Sequence, residues 1–488
     1  MSNVPFTPLL INGEHRPAST GATFSVYSPH TGTLASTAAA ATSDDCRAAI
    51  DAAQLAFPAW EETPYATRRQ IFLRALETLQ SEEWQKKATL PMRTEVAMPQ
   101  PQVLFNLLAG TITLESIACM VNDLKGETLP SGIPGGQVFV QRRAQGVIYS
   151  VVPWNAPIPL LITSVVVPLV CGNTVVVRPS EFCPYTTSLV VDALHDAGLP
   201  AGVLNFVPMS VEDTPQLTSE IIGHPAVKRV TFTGSDRVGK IIAGEAAKHL
   251  KPCVLELGGK APSVVLADAD IDQASRAIVV GGLLYSGQIC MSTERVIVQR
   301  PALEPLVAAI KQHINTLSVG DPQNAHLSSV FTERSADGII SMLKEAKEAG
   351  AEVVLGDFEK AGPALLKPHV LLGVKPEMRL WQRESFGPVL ALAVVDTIDE
   401  AVQLANASDY SLAASLWTKD VYNAINVAMR IRSGSVSING STIHVESGHG
   451  LTGLGGSSGY GRFNVDNFTD KRVITLHPPK SNYGLLGL

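Results

Sequence analysis

Short aliphatic runs alternate with longer amphipathic segments from residue 146 onwards. Four of the runs predict buried strands, at residues 147–152, 174–178, 203–208 and 228–233. Helical segments separate them, for example residues 186–197, which end at Gly198. Strands and helices that alternate at this spacing predict a parallel sheet covered on both faces. Because such sheets bind ligands at the carboxyl ends of their strands, the residues just after each run are the first candidates for chemistry.

A second alternating series begins near Pro262 and predicts another lobe of the same kind. Its predicted strands cover residues 263–266, 295–299, 352–355, 389–395, 413–417 and 435–438. Its predicted helices include residues 270–285, 302–314 and 339–350. The fold class is therefore α/β, with two doubly wound, parallel-sheet lobes.

The first 145 residues have a different pattern. Residues 9–16, with Asn12-Gly13 at the centre, predict a β-hairpin. Helices are predicted near residues 44–60, 65–87 and 103–124, and nothing in them indicates more than core packing. Glycines and prolines at residues 126–140 predict a two-stranded excursion, which needs another surface to pair with, such as a subunit interface. The strand-like segment at 472–476, near the carboxyl terminus, is expected to pair with this excursion at 126–140.

The composition argues against several kinds of partner and site. The 488 residues carry a net charge of −7 with no basic stripe, so no nucleic-acid partner is expected. The six cysteines are scattered without a CxxC pair, which favours neither a metal site nor disulfides. The amino terminus does not resemble a signal peptide. The apolar run 158–177 contains Pro159 and Pro168, which favours a buried helix and strand over a membrane span. We expect a cytoplasmic protein without a membrane partner.

Candidate chemical groups lie just after the predicted strands of the first lobe. Asn155, in VPWNAP, can donate from its amide into an oxyanion, although an ordinary turn asparagine fits the same position. Arg178 and Glu181, in VRPSE, suit the hydroxyls of a ribose, or else form a solvated ion pair. Glu256, in VLELGGK, stands in an apolar run that would raise its pKa and suit it to general-base catalysis. A surface carboxylate on an edge strand is the alternative.

Strand, glycine turn and helix come directly one after another at residues 227–250. Gly234, Ser235 and the start of the helix can hold a phosphate. The segment fits most of a P-loop, but Ile241 stands where a magnesium-binding Ser or Thr is required. The pyrophosphate of a dinucleotide needs no metal and fits better, although the strict G-x-G-x-x-G fingerprint is absent.

The second lobe contributes Cys290, in GQICMSTERV, and Glu384, in RESFGPV. Taken alone, a free cysteine is most often a small buried hydrophobe, and Glu384 is most simply a solvated loop charge. The charged pair Glu294-Arg295 after the cysteine is expected to be structural. Together the segments offer a nucleophile, an amide donor, a base, a ribose-binding carboxylate and a phosphate-binding turn. That combination is what thiol-mediated oxidation requires.

Seven motifs, in family order, resemble the NAD(P)-dependent aldehyde dehydrogenase superfamily over nearly the whole chain. They are PWNAP, VVVRPSE, FTGSDRVG, LELGGKAP, GQICMSTERV, ESFGPV and GGSSGYGR. The resemblance implies a variant Rossmann cofactor domain at residues 1–122 and 145–257 and a catalytic domain at 258–455. It also implies a small β bridging domain for oligomerisation at 123–144 and 468–488, a homodimer or homotetramer, and no metal.

The resemblance also implies a role for individual residues. Cys290 matches the catalytic thiol and Glu256 the general base, and Asn155 with the Cys290 N–H matches the oxyanion hole. The implied substrate contacts are Asn155, Ile289 and Met291. The implied cofactor contacts are Val152, Pro153, Trp154, Arg178, Ser180, Glu181, Gly234, Ser235, Leu257, Gly258, Glu384 and Phe386. The implied reaction oxidises an aldehyde through a cysteine thioester, which water activated by glutamate then hydrolyses.

Three departures from the family's usual pattern bear on specificity. Arg178 replaces the usual lysine and its planar fork can reach a 2′-phosphate, but Glu181 repels such a phosphate, so we favour NAD over NADP. Residues 444–456 differ from the Pro-Phe-Gly-Gly run that usually helps line the substrate entrance. Finally, GRFN lacks a glutamate that many members have. With GQICMSTERV it resembles the salicylaldehyde, vanillin and benzaldehyde dehydrogenase branch, so we expect an aromatic or bulky apolar aldehyde. The alternative is a non-catalytic nucleotide-binding or scaffold protein that has kept the fold.

Overall fold

The structure is a computed structural model that describes residues 4–444 and 453–479. Its strands within these ranges are β1 (Phe6–Thr7), β2 (Leu9–Ile11), β3 (Glu14–Arg16), β4 (Thr23–Tyr27), β5 (Leu34–Ala39), β6 (Glu127–Pro130), β7 (Gln137–Ala144), β8 (Val147–Val151), β9 (Thr174–Arg178), β10 (Leu204–Phe206), β11 (Val227–Thr233), β12 (Cys253–Glu256), β13 (Ala261–Val265), β14 (Thr293–Gln299), β15 (Glu352–Leu355), β16 (Lys360–Gly362), β17 (Leu365–Leu366), β18 (His369–Leu372), β19 (Val389–Val395), β20 (Ala413–Trp417), β21 (Ser435–Ile438) and β22 (Thr469–Leu476).

The helices of the same ranges are α1 (Ser43–Glu61), α2 (Tyr65–Gln80), α3 (Glu82–Val96), α4 (Gln100–Cys119), α5 (Pro157–Val170), α6 (Pro184–Asp196), α7 (Thr214–Gly223), α8 (Asp236–Lys248), α9 (Ile271–Leu283), α10 (Arg300–Ile314), α11 (Glu333–Glu348), α12 (Arg379–Gln382), α13 (Ile398–Asn406), α14 (Val421–Ala428) and α15 (Val465–Phe468). The single helix predicted at 65–87 is in fact two. Ser81 caps α3 by accepting a hydrogen bond from the Trp84 N–H, and this starts a new helix.

The first large sheet has the strand order β12-β11-β8-β9-β10-β2-β3. Strands β12 to β10 are parallel neighbours, which confirms the parallel lobe predicted from the sequence. The predicted hairpin β2–β3 is also confirmed, with Asn12 and Gly13 at φ +54 and +77 in its turn. The hairpin joins the sheet edge antiparallel to β10, so the lobe is mixed and not purely parallel.

The second large sheet has the order β15-β18-β19-β14-β13-β20-β21. The six strands predicted in this lobe are all present, and the neighbours from β18 to β21 run parallel. Strand β15 is antiparallel to β18 at the edge, so this sheet too is mixed. Strand β18 was missed because it comes directly after Pro368, and a proline next to a short apolar run argues against a central strand.

A three-stranded sheet, β22-β7-β6, connects the carboxyl-terminal strand to the excursion at 126–140. The pairing of β22 with β7 runs antiparallel from Thr469↔Ala144 to Leu476↔Gln137, as the sequence predicted. On β22 the side chains of Val473, Ile474 and Leu476 are exposed. This sheet therefore presents apolar side chains to the surroundings of the chain.

Helices α4 and α5 pack closely beside the first sheet. A Cβ at Gly110 would lie 2.5 Å from Ile158 Cγ2, so glycine is needed for the two helices to approach. Among the described helices, the segment Gln100–Asp123 has the length and composition of a membrane span. Its contacts with α2 and α5 identify it as a core helix of this fold.

Asn173 ties the β22–β7 sheet to the first lobe. Its side chain is fully buried; Oδ1 accepts from the N–H groups of Gln145 and Gly146, and Nδ2 donates to the carbonyls of Pro168 and Phe468. We expect Asn173→Ala to lower the free energy of unfolding by about 2–4 kcal/mol, because it leaves buried backbone groups unpaired. Comparing urea unfolding midpoints would test this, with the exposed Asn324→Ala as control. Equal midpoints for the two variants would contradict the assignment.

Candidate active site

The ends of four neighbouring strands bring the predicted site residues to one edge of the first sheet. Asn155 comes after β8, Arg178 ends β9, Gly234 comes after β11 and Glu256 ends β12. Because these strands are parallel neighbours in the order β12-β11-β8-β9, their carboxyl ends lie side by side. This is the place where sheets of this type bind ligands.

Cys290 reaches this edge from the second lobe on a strained loop. After α9, Tyr285 and Ser286 both adopt left-handed backbone conformations, with φ of +52 and +54. Such conformations cost on the order of 1 kcal/mol or more per residue and persist only where the surroundings hold them. Here the Tyr285 hydroxyl donates to the Val96 carbonyl at 2.5 Å, and Ser286 Oγ donates to the Ser328 carbonyl at 2.6 Å.

Gly287 completes this loop and explains the glycine of the GQIC segment. Its φ is +77, and a Cβ there would lie 2.0 Å from the carbonyl oxygen of Gly387. The loop that carries Cys290 is thus pressed against the loop that carries Glu384 and Phe386. Any side chain at 287 would push the two loops apart.

Glu294 joins three segments of the site through a buried network. Its carboxylate forms a buried ion pair with Lys260 and accepts hydrogen bonds from the N–H and Oγ of Ser385. The Phe386 N–H donates to it as well, at 3.3 Å. The neighbouring Arg295 is fully buried and donates to the Lys260, Leu404 and Ala405 carbonyls, and burial lowers its pKa to about 9. As expected from the sequence, Glu294 and Arg295 have a structural role, because their hydrogen bonds hold together the segments that carry the site residues.

Cys290 and Glu256 form an ionisable pair in an apolar setting. Burial raises the pKa of Glu256 to about 7, and a hydrogen bond with Cys290 opposes the rise. Burial raises the pKa of Cys290 well above its usual value, and the nearby Glu256 charge raises it further. Oxygen Oε1 of Glu256 has no hydrogen-bond partner among the described residues. Near pH 7 the pair therefore consists of a protonated thiol beside a carboxyl group that can take up its proton.

Asn155 is held next to the thiol by a single hydrogen bond. Its Nδ2 donates to the Gln288 carbonyl at 3.1 Å, two residues before Cys290, and the side chain is buried. An amide nitrogen carries two hydrogens, so one remains to donate to an oxygen of a ligand bound beside the thiol. The geometry brings the predicted amide donor and the predicted nucleophile together.

Two cavities meet at these residues and share one wall. A cavity of about 140 Å³ lies on one side, and a cavity of about 240 Å³ lies on the other. The residues common to both linings are Asn155, Thr233, Glu256 and Cys290. Molecules in the two cavities would therefore both lie against these four residues.

The 240 Å³ cavity collects most of the residues expected to contact a cofactor. Its lining includes Pro153, Trp154, Gly234, Ser235, Gly258, Glu384 and Phe386. Trp154 and Phe386 meet edge to face, with ring centroids 5.8 Å apart. Glu384 accepts from the Gly259 N–H at 2.9 Å, and burial raises its pKa well above the usual range, with the nearby Glu294 charge adding to the rise.

The remaining expected cofactor residues lie outside that lining. Arg178 donates to Glu181 at 2.7 Å and to Thr214 Oγ1 at 3.1 Å, and Glu181 lines a separate cavity. Ser180 Oγ accepts from the Phe182 N–H at 3.4 Å, so its hydroxyl serves the turn after β9. Val152 and Leu257 are buried next to strand ends, where only their backbone could face a ligand.

The 140 Å³ cavity has a wall that the sequence pattern does not reveal. Ile289 and Met291 line it as expected, but much of the rest comes from α4 and α5, for which the pattern indicates core packing alone. The lining positions of α4 are three or four residues apart, which is also the spacing of a core-facing helix, so periodicity could not separate the two. They are Gln102, Phe105, Ala109, Thr113 and Ile117, and Met120 continues the series just after the helix ends. Of the predicted entrance loop at 444–456, residues 445–452 lie outside the described part of the chain.

Comparison with known proteins identifies the family. The sequence profile of the Aldehyde dehydrogenase family matches residues 15–474. The chain belongs to the aldehyde dehydrogenase family. It is 39% identical to the vanillin dehydrogenase of Pseudomonas fluorescens, over 98% of this chain and 99% of that protein. It is 37% identical to the salicylaldehyde dehydrogenase of Pseudomonas putida, over the same shares of the two chains.

A solved structure agrees with this membership. The crystal structure of a salicylaldehyde dehydrogenase from Pseudomonas putida G7, complexed with salicylaldehyde, superimposes with a TM-score of 0.95 at 36% identity. The alignment covers 98% of this chain and all of that one. The protein is therefore an aldehyde-oxidising enzyme that uses NAD or NADP, and the fold expected from the resemblance is confirmed. A scaffold protein without activity, the alternative raised by the sequence, is not favoured.

The raised pKa of Glu256 predicts how the activity of this aldehyde dehydrogenase depends on pH. A carboxyl group acts as a base only when ionised, so kcat should fall as the pH drops through about 7. We expect Glu256→Gln to slow both the first equivalent of reduced cofactor and the steady turnover by at least ~10²-fold, because an amide at this position accepts a proton neither from Cys290 nor from water. Stopped-flow absorbance of the reduced cofactor from pH 5 to 9 measures both effects. Undiminished turnover of the variant would exclude Glu256 as the base.

Proposed function

We propose that the enzyme oxidises aromatic aldehydes to carboxylic acids, with NAD as its cofactor and Cys290 as its nucleophile. The observation that carries this proposal is the pair of cavities that share Cys290, Glu256 and Asn155 in one wall. The smaller cavity, of about 140 Å³, is close to the ~150 Å³ that accommodates a benzene ring in a protein interior. Relatives named for vanillin and salicylaldehyde support the same class of substrate.

The first step in the proposed reaction is attack by the Cys290 sulfur on the aldehyde carbon. Because its thiol is protonated near pH 7, Cys290 needs a base, and the Glu256 carboxylate in hydrogen-bond contact accepts the proton. The carbonyl oxygen becomes an alkoxide, to which the free hydrogen of Asn155 Nδ2 donates. One such donor contributes about 3–4 kcal/mol to a comparable transition state.

Glu256 then acts a second time. A nicotinamide bound in the larger cavity would supply the acceptor for the hydride on the substrate carbon, and loss of that hydride would leave a thioester on Cys290. Once Glu256 has released the proton from Cys290 to solvent, it removes a proton from water and the water attacks the thioester carbon. The carbon–sulfur bond breaks, the acid departs, and the Cys290 thiolate takes the water-derived proton back from Glu256. The unpaired Oε1 of Glu256 leaves an oxygen free for that water.

The residues of the larger cavity fit a nicotinamide dinucleotide. Ser235 caps the 13-residue helix α8, whose N-terminal N–H groups and dipole favour a pyrophosphate beside Gly234. The Glu384 carboxylate suits the hydroxyls of the nicotinamide ribose. A Cβ at Gly258 would come within 2.7 Å of that carboxylate, so glycine keeps the approach open.

A preference for NAD over NADP is supported by the pairing of Arg178. Its guanidinium is held by Glu181 and Thr214, so it is not free to bind a 2′-phosphate. Glu181, on the rim of its own cavity, would accept from the ribose 2′-hydroxyl and repel a phosphate in that place. Both effects disfavour NADP.

We further propose a cytoplasmic homodimer or homotetramer, with the domain boundaries expected from the resemblance. The exposed apolar side chains of β22 would be covered by another subunit, which gives the β22-β7-β6 sheet the bridging role.

A panel of aldehydes tests the proposed reaction. Because a ring fills the small cavity, kcat/KM for benzaldehyde and salicylaldehyde should exceed that for acetaldehyde by about tenfold or more. Cys290→Ser should have a kcat/KM at least ~10³-fold lower than that of the native enzyme. The matched control is Cys119→Ser, which changes an exposed cysteine. NADH formation at 340 nm is the readout, and a clear preference for acetaldehyde would contradict the aromatic assignment.

The cofactor preference has its own test. Glu181→Gln removes the charge that repels a 2′-phosphate and releases Arg178, so the ratio of kcat/KM for NAD to that for NADP should fall by about tenfold or more. Glu212→Gln removes a charge from the same cavity without touching Arg178, and it should shift the ratio much less. Equal shifts in the two variants would exclude the specific role of Glu181.

A further inference from the structure

One fully buried amide in the wall of the smaller cavity has no hydrogen-bond partner in the described part of the chain. Gln102, in the first turn of α4, lines the cavity that also contains Cys290. Neither its Oε1 nor its Nε2 makes a hydrogen bond within residues 4–444 and 453–479. The backbone of Gln102 is satisfied: its N–H donates to the Pro99 carbonyl and its carbonyl accepts from Asn106 Nδ2. Only the side-chain amide of Gln102 lacks a hydrogen-bond partner among the described residues.

Packing alone does not account for a glutamine at this position. A buried amide without a hydrogen bond destabilises the fold, whereas methionine or leucine would fill similar space without that cost. Phe105, Ala109 and Ile117 on the same face of α4 are apolar, as is Met120 just after the helix ends, and Thr113 on this face is not among the buried polar groups without a partner. A polar group kept among them at a cost in stability indicates a ligand that uses it.

The chemistry of the amide defines the group that it recognises. Nε2 donates and Oε1 accepts, so the best match is a group that both accepts and donates, which a hydroxyl does and a methyl or an ether does not. No lysine or arginine contributes to the described lining, so it offers no permanent positive charge to a carboxylate or phosphate on the substrate. The torsion at the end of a glutamine side chain is broad, which lets the amide turn towards a guest in the cavity.

We propose that Gln102 is a specificity-determining residue that hydrogen-bonds a neutral hydroxyl group on the ring of the aldehyde substrate. This inference rests on the proposed oxidation of aromatic aldehydes and narrows it to hydroxylated rings. Cys290 and Asn155 bind the aldehyde group itself, and the α4 amide binds the ring substituent. Two fixed points on one flat molecule determine how the ring lies in the cavity.

Matched pairs of substrates test the assignment. The 2-, 3- and 4-hydroxybenzaldehydes are each compared with the methylbenzaldehyde of the same position, which has nearly the same shape but cannot form the bond. In the native enzyme at least one hydroxy isomer should exceed its methyl partner in kcat/KM by on the order of 10- to 100-fold. Gln102→Met should abolish or reverse that ratio, lowering the hydroxy value and raising the methyl value, because it replaces the amide by an apolar chain of similar size.

The chain offers a chemically matched control on the same helix. Gln100 lies two residues away outside the cavity lining and its amide oxygen is bonded to Arg93, so Gln100→Met should leave the hydroxy-to-methyl ratio as it is. Unfolding midpoints are measured in parallel. That of Gln102→Met should equal or exceed the native midpoint, since the change removes an unpaired buried amide. A midpoint below the native one would indicate a structural role for Gln102 and overturn the inference.

The outcomes separate this inference from the function on which it rests. If the native enzyme oxidises benzaldehyde but gives the same hydroxy-to-methyl ratio as Gln102→Met, the role of Gln102 is excluded and the aromatic substrate class stands. If the native enzyme oxidises none of the aromatic aldehydes, the proposed function fails first, and the inference with it. Loss of the ratio in Gln102→Met alone, with stability retained, supports the role.

Discussion

The buried ion pair between Lys260 and Glu294 is the interaction on which the active site depends. Burying two charges destabilises a fold unless hydrogen bonds and the opposite charge replace the lost water. A buried ion pair that lacks some of these partners is less stable than apolar side chains in the same place. Here the Glu294 carboxylate pairs with Lys260 and accepts hydrogen bonds from the N–H and Oγ of Ser385 and from the Phe386 N–H. These partners compensate the charge of Glu294 for the loss of water. One carboxylate thereby fixes the GGK turn, the cysteine loop and the Glu384 loop relative to each other.

That frame allows the catalytic pair to remain unsatisfied. Cys290 and Glu256 sit in apolar surroundings with raised pKa values, and Glu256 keeps an oxygen without a partner among the described residues. Groups of this kind destabilise a fold, and they persist only if the neighbouring structure cannot relax around them. The left-handed turn at Tyr285 and Ser286 is held on both sides by hydrogen bonds, so the loop cannot withdraw the thiol from the wall.

Local pattern and strand order are enough to predict the sheet edge at which the site forms. Buried strands that lead into Asn155, Gly234 and Glu256 place those residues at one edge, because parallel strands end on the same side. The antiparallel edges of the two sheets could not be predicted, since joining strands at an edge depends on contacts far along the chain. Nor could the left-handed turn at Tyr285, where no glycine or asparagine marks the conformation. The domain boundaries and the roles of the individual site residues stay predictions.

Helix α4 illustrates the deeper limit of sequence reasoning about a site. A helix face that packs into a core and a helix face that lines an apolar cavity need the same residues at the same spacing. Only a polar exception on such a face distinguishes them. The polar lining residues of α4 are Gln102 and Thr113, and of these two only the Gln102 amide is buried without a partner among the described residues. In the sequence alone, Gln102 is only a polar residue in a largely hydrophobic pattern. Once the cavity is known, the cost of burying an unpaired amide becomes an argument about the substrate, because natural proteins break packing rules mainly where function requires it. If the proposed roles of Gln102 and Cys290 hold, specificity depends on α4, in the first lobe, while the nucleophile comes from the second. Cys290 of the second lobe and Glu256 of the first lobe line the same two cavities, so the site is complete only when the two lobes are packed together.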